Sequence, residues 1–82
     1  MPTSAASRPT SIRSPEALGR VIRAARTEAG MTQAELADRA RANRYTIHSL
    51  ESGHETRAIE VIFDTLAALG LELMVRPRGE RQ

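Results

Sequence analysis

Polar side chains are concentrated in one short segment near the middle of the chain, NRYTIHSLESG, which runs from Asn43 to Gly53. Its arginine, tyrosine, histidine and serine side chains can exchange hydrogen bonds with the donor and acceptor groups on base edges. Two apolar residues, Ile47 and Leu50, interrupt them at helical spacing. The segment is therefore either the reading face of a nucleic-acid-binding helix or the solvated face of an ordinary helix.

The same residues offer little for catalysis. His48 and Ser49 are adjacent, so they diverge by about 100° around a helix and cannot act together as a base and a nucleophile. The chain has two histidines, His48 and His54, with no convincing third ligand for a metal ion. It also contains no glycine-rich phosphate loop. We expect a protein that is not an enzyme and has no metal site and no cofactor.

The composition limits the chain to one small domain with tails, because it has 82 residues and no internal repeat. The core of such a domain is marginal, and the absence of cysteine excludes support from disulfides or thiolate metal sites. A second subunit is the leading source of additional stability. Every basic side chain is an arginine, and arginines lie near both ends, which suits a polyanionic partner. No segment resembles a signal peptide or a membrane span, so we expect a cytoplasmic, nucleoid-associated protein.

Capping residues mark the starts of three helices. Ser14 predicts a first helix over residues 15–29, and Thr32, with an acidic residue three positions later, predicts a second helix that starts with a capping box. Asn43 is the predicted cap of a third helix, residues 44–52. The linker between the second and third helices has only three residues. The two helices are therefore a helix-turn-helix candidate.

A fourth helix and one strand follow. The fourth helix is the most apolar and is expected to form the floor of the core. It is predicted from a continuous apolar stripe, Ile59, Ile62, Phe63, Leu66, Ala67 and Leu69. The alternation in LELMVRP predicts one strand, residues 71–76. We expect residues 1–13 to be a disordered N-terminal tail and residues 77–82 to be a flexible C-terminal tail. The strand then has no partner in the chain, so it is expected to pair across a homodimer through Leu71, Leu73 and Val75.

The segment MTQAELADRARANRYTIHSLESG resembles the helix-turn-helix domain of the phage-repressor and Xre class of bacterial regulators. The likeness lies in the TQxELA opening of the second helix, the TI within the third helix and the LExG that closes it. It implies an all-α, four-helix, lambda-repressor-like domain over residues 14–70. In such a domain the outer face of the third helix enters the major groove of DNA.

This arrangement assigns roles to individual side chains. The outer face of the third helix is assigned to base reading, through Arg44, Tyr45, His48 and Ser49. Phosphate contacts are assigned to helix entrances and nearby basic residues, namely Thr32, Gln33, Asn43, Arg41 and Arg57. For the residues at helix entrances, simple capping is an equally good interpretation. In phage repressors of this class the positions that match Arg26 and Glu51 form an ion pair, so the resemblance implies a structural clamp here.

The whole span from Ser14 to Arg78 is similar to the HipB family of antitoxins, in SPEALGRVIRAAR, in the helix-turn-helix and in LAALGLELMVRPR. This resemblance implies a dimer that represses its own toxin–antitoxin operon by binding inverted-repeat operators. It also implies that the dimer binds and neutralises a HipA-type kinase toxin. The alternative is a free-standing Xre-family transcriptional repressor without a toxin partner.

Overall fold

Four helices and a pair of short strands make up the computed structural model, which describes residues 9–54 and 56–79. In chain order the elements are β1 (Thr10–Ile12), α1 (Pro15–Glu28), α2 (Gln33–Ala40), α3 (Arg44–Glu51), α4 (Arg57–Ala68) and β2 (Leu73–Val75). The predicted fold class, an all-α helix-turn-helix domain of four helices with a strand near the C-terminus, is confirmed.

The helix starts are set by local hydrogen bonds. Thr32 forms the predicted capping box with Glu35: the Thr32 hydroxyl accepts from the Glu35 amide at 3.0 Å, and the Glu35 carboxylate accepts from the Thr32 amide at 2.8 Å. Asn43 Oδ1 accepts from the Thr46 amide at 2.9 Å, and Ser14 caps α1 in the same way. Each cap occupies a backbone donor that an uncapped helix leaves free, which is worth about 1 kcal/mol.

The sheet overturns the expectation that β2 lacks a partner in the chain. β2 pairs antiparallel with β1, so that Thr10 lies opposite Val75 and Ile12 opposite Leu73. The prediction of a disordered tail is therefore wrong for residues 10–12, which form a strand. Residues 1–8 of the predicted tail lie outside the described residues. This pairing could not be predicted from the sequence, because β1 is only three residues long and its partner lies more than 60 positions away along the chain.

The core is small and is centred on α1. Its buried apolar side chains are Ile12, Val21, Ala37 and Ile47, and Ile12 is the one that is completely inaccessible. α1 packs against α3, α4 and β1, and α3 also packs against α2. The most deeply buried large side chain therefore comes from the segment that was expected to be a tail.

Helix α4 does not form the predicted floor of the core. Ile59, Phe63 and Leu66 are half-buried, but none of the side chains of α4 is fully buried. Ile62 and Leu69 are 51% and 65% exposed. The apolar stripe was read correctly as a helix, but it is wider than the surface that this small domain offers it. No helix in the described part of the chain, α4 included, is long and apolar enough to cross a membrane.

Candidate nucleic-acid interface

The outer surface of α3 presents all four side chains assigned to base reading. Ile47 is buried with 3% of its surface accessible, and Leu50 is half-buried, so these two residues fix the inward side of the helix. Positions i, i+1, i+4 and i+5 fall within an arc of about 140° around a helix. The outer side of α3, away from Ile47 and Leu50, carries the four exposed side chains Arg44, Tyr45, His48 and Ser49.

Two of these side chains are in contact. The Arg44 guanidinium lies 5.6 Å from the centre of the Tyr45 ring, which is a cation–π geometry. Tyr45 is 71% exposed, so the contact stands in solvent on the open face of α3. Sequence reasoning missed this pair because adjacent residues on a helix normally point in different directions. Only the length of the arginine side chain lets it reach its neighbour's ring.

The turn between α2 and α3 contains an unusual backbone conformation. Arg41 ends α2 with φ 58° and ψ 42°, in the left-handed region. Every other described residue with positive φ is a glycine. A residue that carries a β-carbon adopts this conformation at a cost of about 1–2 kcal/mol, whereas glycine adopts it freely. The turn therefore retains an exposed arginine, next to the start of α3, where glycine would be more stable.

An ion pair ties α3 to α1. Arg26 Nε and Nη2 donate to the two carboxylate oxygens of Glu51 at 2.5 and 3.0 Å, and the two side chains are only 12% and 4% accessible. Arg26 Nη1 also donates to the carbonyl of Met31, in the turn before α2, at 2.8 Å. The two residues assigned to a clamp thus hold α1, the following turn and the end of α3 together. The hydrogen bonds from Arg26, followed in strength by one from Gln33, lower the pKa of the Glu51 carboxyl.

Gly19 brings the backbones of α1 and α3 together. A β-carbon at this position would lie 2.3 Å from the Leu50 carbonyl oxygen and 2.9 Å from that of Glu51. Glycine in a helix interior costs about 1 kcal/mol relative to alanine, so its presence points to a packing requirement. Sequence reasoning did not select Gly19, although an isolated glycine within a strong amphipathic pattern is the signal that would have found it.

Comparison with known proteins identifies the domain type. Residues 17–77 match a family described as helix-turn-helix domain, from the first turn of α1 to just beyond β2. The chain belongs to the helix-turn-helix domain family. Searches of curated proteins and of solved structures gave no significant match. Membership identifies a DNA-binding regulator of a typically non-enzymatic class. In helix-turn-helix domains the second helix of the motif, here α3, lies in the major groove.

Within this helix-turn-helix domain, the side chain of Gln33 has a structural role that was not predicted. Its Nε2 donates to Glu51 Oε1 at 3.0 Å, and the residue is half-buried. The side-chain amide is therefore engaged by the clamp. The backbone N–H of Gln33, in the first turn of α2, is still among the amides that a helix start offers to an anion.

The other phosphate candidates are exposed, but their side chains differ in what they already contact. Thr32 and Asn43 are caps whose oxygen atoms accept backbone amides, so capping and phosphate contact have to share each side chain. Arg57, in the first turn of α4, is paired with Glu60 at 3.4 Å in an exposed i,i+3 contact that contributes little to stability. Arg41 is exposed at the turn itself. Of the arginines assigned to DNA contact, Arg41 and Arg44 form no ion pair with a described residue.

Proposed function

We propose that this protein is a dimeric antitoxin that represses its own toxin–antitoxin operon and neutralises a HipA-type kinase toxin. The observation that carries the DNA-binding part is the open polar face of α3 in a helix-turn-helix domain. The antitoxin part rests on the similarity to the HipB family, which extends beyond the helix-turn-helix into β2. This role belongs in the bacterial cytoplasm, at the nucleoid.

In the proposed complex, base edges and phosphates are contacted by different groups. α3 enters the major groove, where the base-reading residues are Arg44, Tyr45, His48 and Ser49. The starts of α2 and α3 face the phosphates with their free backbone amides. Further phosphate contacts come from side chains around the motif, namely Thr32, Asn43, Arg41 and Arg57, together with the amide of Gln33. The largely inaccessible Arg26–Glu51 pair, whose side chains are 12% and 4% accessible, keeps α3 at a fixed angle to this surface.

The dimer keeps the strand pairing that the sequence suggested, but one edge of β2 is already occupied by β1, so only its other edge is left for a second copy. A two-stranded sheet is marginal by itself, and each of its strands has a second edge that can accept another strand. Exposed apolar side chains occur on and just after α4 and in β2, namely Val61, Ile62, Leu69, Leu71 and Met74, whose accessible fractions are 43–65%. An apolar surface of this kind on a small domain favours a protein interface.

We therefore place the two-fold axis at β2, with β2 of each copy pairing antiparallel to form a four-stranded sheet. The assigned dimerisation residues differ in exposure: Leu71 is 56% exposed, while Leu73 and Val75 are half-buried beneath the sheet. In this arrangement Leu71 contributes by direct contact with the partner. Leu73 and Val75 contribute by holding β2 on the domain.

A matched pair of variants tests the dimer. Leu69 and Ala29 are both exposed residues at the C-terminal end of a helix, each followed by glycine, and an arginine is electrostatically favourable at either position. Leu69→Arg is expected to convert the dimer to monomer in sedimentation equilibrium and to weaken binding to a two-fold operator. Ala29→Arg is expected to leave both unchanged. A Leu69→Arg variant that stays dimeric would remove α4 from the interface.

The DNA-binding part is tested by selecting bound sequences from random duplex DNA. The expected outcome is an enriched motif with two related half-sites, because a symmetric dimer presents two copies of α3. Affinity is expected to fall with salt, with a slope of about −0.9 in log K against log salt for each phosphate neutralised. Failure to enrich any motif, or affinity independent of salt, would contradict DNA binding by α3.

The antitoxin part needs a separate experiment. A kinase-like reading frame adjacent to the gene is expected, and its product should copurify with this chain and lose kinase activity in the complex. If the neighbouring product is neither bound nor inhibited while operator binding persists, the free-standing repressor is the correct function. The two outcomes leave the DNA-binding result unchanged, so the parts of the proposal can be judged independently.

A further inference from the structure

Arg44 and Tyr45 stand as a stacked pair at the start of α3, and we propose that the pair reads one dinucleotide step, a guanine next to a thymine. The inference rests on the proposed DNA contact of α3 and narrows it to two bases in each half-site. It starts from three observations: the 5.6 Å separation of guanidinium and ring, the exposure of both side chains, and their position in the first turn of α3.

The guanine follows from the chemistry of Arg44. A guanidinium group presents parallel N–H donors, and guanine presents the acceptors O6 and N7 side by side in the major groove. No other base pair offers two adjacent acceptors on one base there. No carboxylate among the described residues forms an ion pair with Arg44, so its guanidinium N–H groups can donate to guanine O6 and N7.

The thymine follows from the position of Tyr45. The ring flanks the guanidinium, so when Arg44 lies level with one base pair the ring lies level with a neighbouring pair. The guanidinium and the ring centre are 5.6 Å apart, so when Arg44 contacts one base pair the ring is within reach of the next pair, about 3.4 Å along the duplex. The apolar ring edge then faces the major-groove side of that base pair, where only thymine carries a methyl group.

The ring also acts on Arg44 itself. A free arginine side chain has several rotatable bonds, and ordering it on binding is costly. Contact with the ring holds the guanidinium on the outer face of α3 before DNA arrives. Tyr45 is therefore a positioning residue for Arg44 as well as a contact for thymine, and the two side chains should act as one unit. His48 and Ser49 lie one helical turn further on, about 5.4 Å away, and read other bases.

The test uses the full chain and sequence selection from random duplexes with the wild type, Arg44→Ala, Tyr45→Ala and Tyr45→Phe. We expect a guanine–thymine step in each half-site. Arg44→Ala is expected to relax the guanine and to weaken binding about 5- to 150-fold for each half-site, the value of one bidentate contact. Tyr45→Ala is expected to relax the thymine and to weaken the guanine preference too. Tyr45→Phe keeps the ring and should behave as the wild type.

A probe with a single missing group isolates the methyl contact. Replacing the selected thymine by deoxyuridine removes only the C5 methyl, and it is expected to weaken wild-type binding about fourfold, the value of burying one such group. The same replacement should leave the affinity of Tyr45→Ala unchanged. His48→Ala serves as the matched control on the same face, and it should retain the full deoxyuridine effect.

The outcomes separate this inference from the function on which it rests. A selected motif without adjacent guanine and thymine overturns the pair as a reading unit while DNA binding stands. The pair is also overturned as a reading unit if the Arg44 and Tyr45 variants change base preference at positions that are not adjacent. In a variant that carries both Arg44→Ala and Tyr45→Ala, a loss of affinity equal to the sum of the two single losses would overturn the positioning role. Absence of any selected motif would overturn both the inference and the proposed DNA binding.

Discussion

The substitution Gly19→Ala tests the idea that α3 is held by direct contact between two helix backbones. Alanine is normally the better residue in a helix interior by about 1 kcal/mol, so a glycine without a packing role should be stabilised by this change. In this protein the added β-carbon would lie 2.3 Å from the Leu50 carbonyl oxygen and 2.9 Å from that of Glu51. The packing interpretation therefore predicts a change of the opposite sign.

The size of the effect follows from these distances. Carbon–oxygen contacts of this type usually begin at about 3.3 Å, so α1 and the end of α3 must separate by about 1 Å. Overpacking of this kind costs about 1–3 kcal/mol, and the obstructing atoms belong to the backbone, which cannot rotate away. After subtraction of the gain in helix propensity, we expect a net loss of up to about 2 kcal/mol, or up to about 16 °C in Tm.

The assay is urea unfolding followed by far-ultraviolet circular dichroism, at one fixed protein concentration because dimerisation contributes to apparent stability. Arg20→Ala, at an exposed position on α1, is the control and should change stability by less than about 0.5 kcal/mol. Operator affinity should fall as well, because α3 is displaced as a unit. A Gly19→Ala protein that is more stable than the wild type by about 1 kcal/mol, the full gain in helix propensity, refutes the backbone contact.

Three further changes have defined outcomes. Glu51→Gln leaves Arg26 without its charged partner and should lower the urea midpoint at pH 7. The pKa of Glu51 is lowered in the folded state, so its stabilising effect is present above the unfolded pKa of about 4.3 and is lost as pH falls through the folded pKa. Profiles of stability against pH that run parallel for the wild type and Glu51→Gln between pH 7 and 3 would contradict this. Arg41→Gly relieves the left-handed backbone and should raise stability by about 1 kcal/mol per subunit, while reducing the salt slope of operator binding by about 0.9 for each subunit of the dimer. An unchanged slope would show that Arg41 contacts no phosphate. Ile12→Ala should cost about 2–5 kcal/mol in the same unfolding assay, since Ile12 is fully buried, and an unaltered midpoint would mean that β1 is not packed on α1.

The sequence alone determined the features that depend on local chemistry. Caps such as Thr32 and Asn43 act on backbone amides two or three residues away, so helix starts can be recognised without knowledge of the fold. The period of the apolar residues likewise fixes which side of α3 points inward, because helix geometry is the same in every context. The helix-turn-helix and its open polar face were predictable for this reason.

The tertiary structure decided the features that depend on residues far apart in the chain. β1 pairs with β2 across most of the chain, and a segment of three residues has too short a pattern to indicate such a partner. The amide of Gln33 binds Glu51 instead of being left free, and Gly19 lies against α3. A glycine or an amide has the same sequence signature whether its surroundings are empty or crowded. Periodicity shows that α4 has an apolar stripe, but only the packed domain shows how much of that stripe it leaves uncovered.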